Sequence, residues 1–422
     1  MHIANMRSSA AAPRAVAEVL VRDAVPRGIS GTSIGAVARP ATIVEASEVM
    51  RDASARGDAM SFCGGATDLD FGYAPERVDL LIATQRLSRV IDYSPADLVI
   101  EAEAGVTLAA LRAVTVPHRQ RLALDPPLPE RATLGGIVAT NAFGPRRARF
   151  GTLRDHIVGI TLLRADGTRV RGGGKVVKNV AGFDLPKLAV GSLGTLAMIA
   201  TVTLRLHPLP ECSLAFVLEA CSADDLRALE RGSVAMQLEP SAFIATRTTG
   251  SWRALVLFEG FAAGVAEQGD RFSALAQSLG HRAEQISPET IERIDAATRV
   301  HGNVRVRFSV PLSFLPHLER EGIAPLCMAL DDAASVTYPS LGIAYVTGLA
   351  NDPDAAVAAL LRARTSAESC GGHAVLSAAT DEVAERVDPY GALPSSLGLM
   401  RELKARFDPS RLLNRGRFVG RL

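Results

Sequence analysis

No C-x-x-C pair occurs among the five cysteines, which are scattered at Cys63, Cys212, Cys221, Cys327 and Cys370. Their spacing excludes the local motifs of iron–sulfur and structural zinc sites and fits a reducing compartment. The eight histidines show neither H-x3-H nor H-E-x-x-H spacing, so no protein-bound metal is expected. Aromatic side chains are sparse. One Trp and five Tyr leave no base-stacking platform, and a net charge of +1 gives no field for nucleic acid or an anionic membrane. The dinucleotide fingerprint G-x-G-x-x-G is missing, and so is a Walker A loop, because Gly174-Lys175 runs into Val176. Long apolar runs are missing as well. The best of them, Leu188–Leu204, is broken by Gly191, Ser192, Gly194 and Thr195 and falls short of the roughly 20 residues a span requires. Met1–Gly28 has no continuous apolar core, so no secretory signal is expected.

What remains is an ordinary globular composition, 48% hydrophobic and 22% charged over 422 residues, long enough for two or three domains. Glycine is concentrated in two places. Met60–Gly72 reads MSFCGGATDLDFG, a short apolar strand feeding Gly64-Gly65, with Ala66, Thr67 and Asp68 behind them. Ala132–His156 reads ATLGGIVATNAFGPRRARFGTLRDH and sets Thr133, Thr140 and Asn141 among Gly135, Gly136, Gly144 and Gly151. Glycine inside regular structure costs roughly 0.5–1 kcal/mol relative to alanine, so such density marks left-handed turns or close backbone approach to a ligand. A strand that ends in Gly-Gly aims successive backbone N–H groups into one concavity, which suits an anion. The Arg146-Arg147-Arg149 run reads as a solvated loop.

Periodicity orders the rest. Ala41–Ala55 is helical, Asp79–Ala83 and Leu98–Ala104 are strands, and Thr107–Val114 is a helix. Ile157–Arg171 reads as a hairpin on an Asp166-Gly167 turn. Pro208–Pro210 marks a domain boundary. Beyond it, strands (Leu214–Glu219, Ala242–Thr246, Ala254–Phe258, Val304–Val310, Val336–Pro339, Ile343–Thr347, His373–Ser377) alternate with helices (Val265–Leu279, Leu315–Glu321, Ala355–Glu368). Two βαββα passes of this kind imply one large antiparallel sheet with helices on one face. The tail holds a helix near Leu397–Ala405 and then FDPSRLLNRGRF.

Taken in order, GGATD, ATLGGIVATNAFGPRRARFG, KNVAGFDLPKLAVGSLGTLAMIATVTLRLHP and the closing FDPSRLLNRGRF resemble the vanillyl-alcohol oxidase / p-cresol methylhydroxylase (PCMH-type) FAD-binding superfamily. Within it, KVVKNVAGFDLPKLAVGSLGTL is most similar to the FAD-binding (E) subunits of bacterial glycolate oxidases. The resemblance implies an α+β chain: a lead-in over 1–37, a PCMH-type FAD-binding domain over 38–210, an antiparallel cap domain over 211–390, and a segment over 391–422 that returns to the FAD domain. It implies FAD contacts at Gly64, Gly65, Ala66, Thr67, Asp68, Thr133, Gly135, Gly136, Thr140, Asn141, Gly144, Gly182, Gly194, Ile199 and Asn414. It also implies a related FAD-linked catalytic subunit and an iron–sulfur subunit as partners, a small 2-hydroxy acid as substrate, and a cytoplasmic setting, peripheral to the inner membrane through those partners.

Three departures qualify the resemblance. Ala66 stands where relatives with covalent flavin carry histidine, so FAD should be held non-covalently. Only Gly371-Gly372-His373 remains of a late H-x-G-D-G-x-x-H-type metal motif, which leaves open a flavin relay in place of a catalyst, or a standalone 2-hydroxy-acid or alditol oxidase. Arg415 replaces the usual proline of the closing motif. For chemistry, Arg307 on the alternating strand VRVRFSV is a candidate carboxylate clamp. His373 is a candidate base beside the flavin, with a structural role as its alternative.

Overall fold

In the computed structural model of the protein the described residues are 31–174, 184–247 and 251–422, with the backbone of Leu20–Val21. Gly182, Lys178 and Asn179 lie outside them. The chain first builds β1 (Leu20–Val21), β2 (Ile34–Ala38), α1 (Ile43–Arg56), β3 (Met60–Cys63) and β4 (Val78–Ala83). Thr42 caps α1 by accepting the Glu45 N–H, Gly57 ends it in the left-handed region, and Ala46, Val49, Met50 and Ala53 form its buried stripe. The sheet runs β1-β2-β4-β3, parallel except for β1. Strand β2 thus enters the sheet ahead of residue 38.

A second sheet is antiparallel and runs β5-β6-β10-β8-β9, from β5 (Val90–Ser94), β6 (Val99–Glu103), β8 (Ile157–Leu163), β9 (Arg169–Gly173) and β10 (Met198–Arg205). Strands β8 and β9 are the expected hairpin. Between β6 and β8 come α2 (Leu108–Thr115), β7 (Gln120–Arg121) and α3 (Leu134–Thr140); β7 pairs with β11 (His207–Pro208).

The second half forms β12 (Cys212–Cys221), α4 (Ala223–Ala235), β13 (Ala242–Arg247), β14 (Trp252–Gly260), α5 (Ala262–Ser278), β15 (Glu284–Ile286), α6 (Glu289–Val300), β16 (Val304–Ser309), β17 (Asp331–Tyr338), β18 (Ile343–Leu349), α7 (Pro353–Ser369) and β19 (His373–Ala378). All eight strands pair antiparallel in the order β15-β12-β14-β13-β17-β18-β16-β19. Alternation divides the sheet into two faces. Val304, Val306, Phe308, Ala344 and Val346 pack toward α7, and Phe216, Phe258 and Phe272 join α5 to the same side. The opposite face, with Ala215, Val217, Leu255, Leu257 and Tyr345, meets Phe143 of the first half and Ile291 of α6. Helix α6 has no counterpart in the sequence reading, and it lies on this second face.

The tail crosses back. After α8 (Leu397–Phe407), Leu413 bridges Met60 of β3, and the Met60 N–H and carbonyl bond Leu412 and Asn414. No helix among the described residues is long and apolar enough to cross a membrane.

Candidate functional site

A cleft opens where the loop after β3, α3, the 193–199 turn and the tail converge. Its walls include Gly64–Leu69, Thr133, Gly135, Gly136, Thr140, Gly194, Ile199 and Asn414. The two glycine-rich loops touch because they lack side chains. A Cβ on Gly64 would stand 2.0 Å from Thr133 Oγ1, and one on Gly65 would stand 1.6 Å from the Arg131 carbonyl oxygen. Ala66 then turns through the left-handed region at φ 56°. Gly136 faces the cleft, with nothing closer to its Cβ position than Thr133 Oγ1 at 3.2 Å.

Two further glycines of this segment press against protein. Gly135 touches the cleft, yet a Cβ there would strike Ala104 at 2.7 Å, and its N–H donates to the Ala104 carbonyl at 2.7 Å. Its lack of a side chain lets α3 seat on the end of β6. Gly144 lies away from the cleft walls, pressed onto Asp125, whose carbonyl oxygen would be 2.1 Å from a Cβ.

The 193–199 turn and the tail close the other side. Asn414, held at φ 42°, donates Nδ2 to the Leu193 carbonyl at 2.7 Å. Gly194, at φ 67°, leaves room for that amide, which a Cβ would meet at 2.7 Å. Arg415 binds Glu76 at the surface, so the residue replacing proline ties the tail to the segment just before β4. Three polar atoms around the cleft are buried and have no partner among the described residues: Thr133 Oγ1, Asn414 Oδ1 and Arg417 Nε. Arg417 is 4% exposed and donates to the Leu69 and Phe71 carbonyls. Burial pulls its pKa below the usual arginine range, and no carboxylate among the described residues forms an ion pair with it. Orphaned buried donors and acceptors cost about 1–3 kcal/mol each, so their gathering here calls for a polar ligand.

A second chamber adjoins the cleft and shares Thr67, Asp68, Gly136 and Thr140 with it. One wall carries Phe71, Pro126–Leu128 and Asn141–Phe143; the other is the second face of the eight-stranded sheet, with Arg305, Arg307, Tyr345, Thr347, Val375 and Ser377. Arg305 sits opposite Thr347 and Arg307 opposite Tyr345 in the antiparallel register, so alternation alone aims all four into the chamber. Arg299 of α6 completes the wall. His373 shares the face of Val375 and Ser377 but is not among the residues lining the cleft or the chamber. Burial, and secondly the charge of Arg307, hold its pKa below the ordinary value.

Behind Phe143 the arginine run divides: Arg149 is exposed as expected, but Arg146 is not. Arg146 is 9% exposed and binds Glu259 of β14 through two bonds and Glu292 of α6, while its backbone N–H donates to Asp125. Arg121 of β7 also grips Glu259, at 2.8 and 3.1 Å. Burial works to raise the Glu259 pKa, but the two arginines outweigh it and bring it down to about 2. Asp125 is lifted to about 6 by burial, against the opposing pull of Arg146.

The sequence reading does not single out Arg299, Arg305, Tyr345 or Arg417. Arg305 shares the alternation that marks Arg307 and was readable from it. Arg417 carries no local signal beyond its place in the closing motif.

Residues 34–173 match the FAD binding domain family. The chain is 26% identical over 431 residues to a D-lactate dehydrogenase of Archaeoglobus fulgidus, covering 92% of this chain and 91% of that one. It is 40% identical over 126 residues to glycolate oxidase subunit GlcE of Escherichia coli, covering 30% of this chain and 36% of that protein. Among solved structures, p-cresol methylhydroxylase with substrate bound superposes with a TM-score of 0.71 at 14% identity, over 92% of this chain and 89% of that one. Residues 34–173 thus match an FAD binding domain, and the chain as a whole shares the fold of p-cresol methylhydroxylase.

Proposed function

We propose that this chain is the FAD-bearing component of a system that oxidises glycolate or a similar 2-hydroxy acid and passes the electrons on. The reading rests on one observation: a cleft rimmed by orphaned buried polar atoms opens directly into an arginine-lined chamber. Residues 38–210 would form the FAD-binding domain, 211–390 the cap, and 391–422 the returning segment. FAD supplies the acceptor for the hydride equivalent leaving the carbinol carbon; the protein supplies position and donors. Gly64–Asp68 would offer backbone N–H groups to the pyrophosphate, and Arg417 would set a buried positive charge beside the same cofactor. Thr133, Gly136, Thr140, Gly194, Ile199 and Asn414 would complete the walls, with the cofactor held non-covalently.

In the chamber, Arg307 would hold the substrate carboxylate; among the described residues it has no ion-pair or hydrogen-bond partner of its own. Asp68 is the one carboxylate among the chamber's described wall residues and is the group able to take the hydroxyl proton. Bulk water is limited by the apolar wall of Pro126–Leu128 and Phe143.

No histidine stands on the chamber's described walls. That observation supports a second reading, in which this chain relays electrons while a related flavoprotein subunit turns over the acid, beside an iron–sulfur subunit and peripheral to the inner membrane in the cytoplasm. The test is purification of the chain with FAD, followed by anaerobic mixing with 2-hydroxy acids. Flavin bleaching supports catalysis, flavin retained without bleaching supports the relay, and a chain that retains no flavin sinks both.

A further inference from the structure

We infer that Tyr345 recognises the oxygen on carbon 2 of the substrate and so sets the preference for a 2-hydroxy acid over the plain acid of the same length. This rests on the reading above that Arg307 holds the substrate carboxylate in the chamber.

The hydroxyls on the sheet side of the chamber differ in what they already bond. Thr347 Oγ1 donates to the Thr298 carbonyl at 2.8 Å, and Ser377 Oγ donates to the Arg305 carbonyl at 3.2 Å. Tyr338, the neighbouring tyrosine, is buried and donates to Asp295. Tyr345 stands apart. It is 9% exposed, yet its hydroxyl is not sealed in and has no hydrogen-bond partner among the described residues. Among the described residues of that wall, it is the one hydroxyl free to meet a ligand.

Packing fixes where that hydroxyl points. Arg299 lies 4.3 Å over the Tyr345 ring, and the rings of Tyr338 and Phe143 stand at 5.7 and 6.4 Å. Arg299 is itself held, donating to the Phe143 carbonyl at 2.5 Å and to Tyr338 at 3.2 Å. A ring held by three neighbours has little freedom left to lose when it takes up a ligand.

Register supplies the second part of the argument. Tyr345 of β18 is the direct antiparallel partner of Arg307 of β16, and the two share the chamber face. Directly opposed residues have Cβ atoms roughly 4.5–5.5 Å apart. Both side chains reach Phe143, whose ring centre lies 5.9 Å from the Arg307 guanidinium carbon. In a 2-hydroxy acid the carboxylate and the hydroxyl belong to adjacent carbons, so the group that reads the hydroxyl must be the immediate neighbour of the group that holds the carboxylate. Tyr345 is that neighbour. Its O–H donates to the substrate oxygen, whose own proton is left for Asp68. Tyr345 keeps its proton throughout, donating first to the hydroxyl oxygen and then to the carbonyl oxygen that remains when the carbinol carbon has given its hydride equivalent to FAD.

Ligand-observed NMR titration tests this with glycolate and acetate, which differ only in the hydroxyl. The full chain is loaded with FAD and reduced anaerobically beforehand, so neither acid is oxidised. Glycolate should bind the parent about three- to tenfold more tightly, the range that one net hydrogen bond allows. In Tyr345→Phe that ratio should fall to about one while acetate affinity stays level. A parent ratio near one overturns the inference, as does a ratio that Tyr345→Phe leaves unchanged or an equal loss of both acids in that variant. Unfolding midpoints check that the variant is folded; should it fail to fold, a nuclear Overhauser contact between glycolate and the Tyr345 ring in the parent decides, and its absence overturns the inference. Binding of neither acid overturns the chamber's role in the proposed function and this inference with it, whereas acetate binding with a ratio near one overturns the role of Tyr345 alone. A chain that retains no FAD overturns the proposed function while the ratio is still read on it.

Discussion

At Gly135 and Gly136, adjacent glycines answer to different constraints. A Cβ on Gly135 collides with Ala104, whereas one on Gly136 projects toward the cleft with Thr133 Oγ1 as its nearest neighbour at 3.2 Å. Gly135→Ala should therefore destabilise the fold by about 1–3 kcal/mol, the usual cost of forcing extra volume into packed structure. Gly136→Ala should leave stability level or raise it by about 0.5–1 kcal/mol, since alanine suits a helix better, while lowering FAD occupancy. Thermal unfolding and the ratio of flavin absorbance to protein read the two effects separately; the assignment fails if Gly136→Ala loses stability and keeps its flavin. Glycine density was legible in the sequence. What each glycine serves was not, because a sequence shows the missing side chain but not the atom it would have struck.

Elements are held in register by buried charge where the halves meet. Glu259 on β14 takes Arg121 from β7 and Arg146 from the start of the 147–150 turn, and its side chain is 4% exposed. Its folded pKa, about 2, lies below the ordinary 4.5, so its contribution is complete above about pH 4.5 and fades as pH falls toward 2. The shift corresponds to about 3 kcal/mol. Asp125 has the opposite sign: raised to about 6, it burdens the fold at neutral pH and ceases to as pH falls through 6 and below. Stability should accordingly hold or rise from pH 7 to about 5 and then drop; Glu259→Gln should lower it at pH 7 by about 3 kcal/mol and flatten the acid drop. Denaturant unfolding across that range tests it, and an unchanged acid limb in the variant would falsify the assignment. Of these elements, the hairpin β8–β9 and the alternating β16 announce themselves through period and turn chemistry. The ion cluster does not. Its arginines look like any charged loop until partners far away in the chain, Glu259 and Glu292, fold over them.

For the molecule as a whole, the cleft is assembled from sequence positions as distant as Gly64 and Asn414, and the last of them depends on the tail returning. Its ordering of motifs was legible, because strand–Gly-Gly and the closing FDPSRLLNRGRF each carry a local signal. The chamber was mostly not, since it exists only where the second face of the eight-stranded sheet meets the Asn141–Phe143 segment. One buried side chain ties the return together. Lys404 of α8 donates to Asp408 at 2.7 Å, to the Thr195 carbonyl at 2.7 Å and to the Leu413 carbonyl at 3.0 Å, and is 3% exposed. Asp408 in turn accepts the Leu412 and Leu413 N–H groups, which brings Asn414 to Leu193. Lys404→Met keeps the apolar stem but leaves Asp408 buried without its cation and two carbonyls without a donor. Breaking one partner of a buried pair costs about 3–5 kcal/mol. Because the lost bonds reach both the 193–199 turn and the tail, FAD retention should fall together with stability. Adding Asp408→Asn removes the stranded charge and should restore part of the stability while the flavin stays weakly held. Unfolding midpoints and FAD dissociation constants for the two variants decide it, and flavin held by Lys404→Met as tightly as by the parent would mean that the tail does not close the cleft.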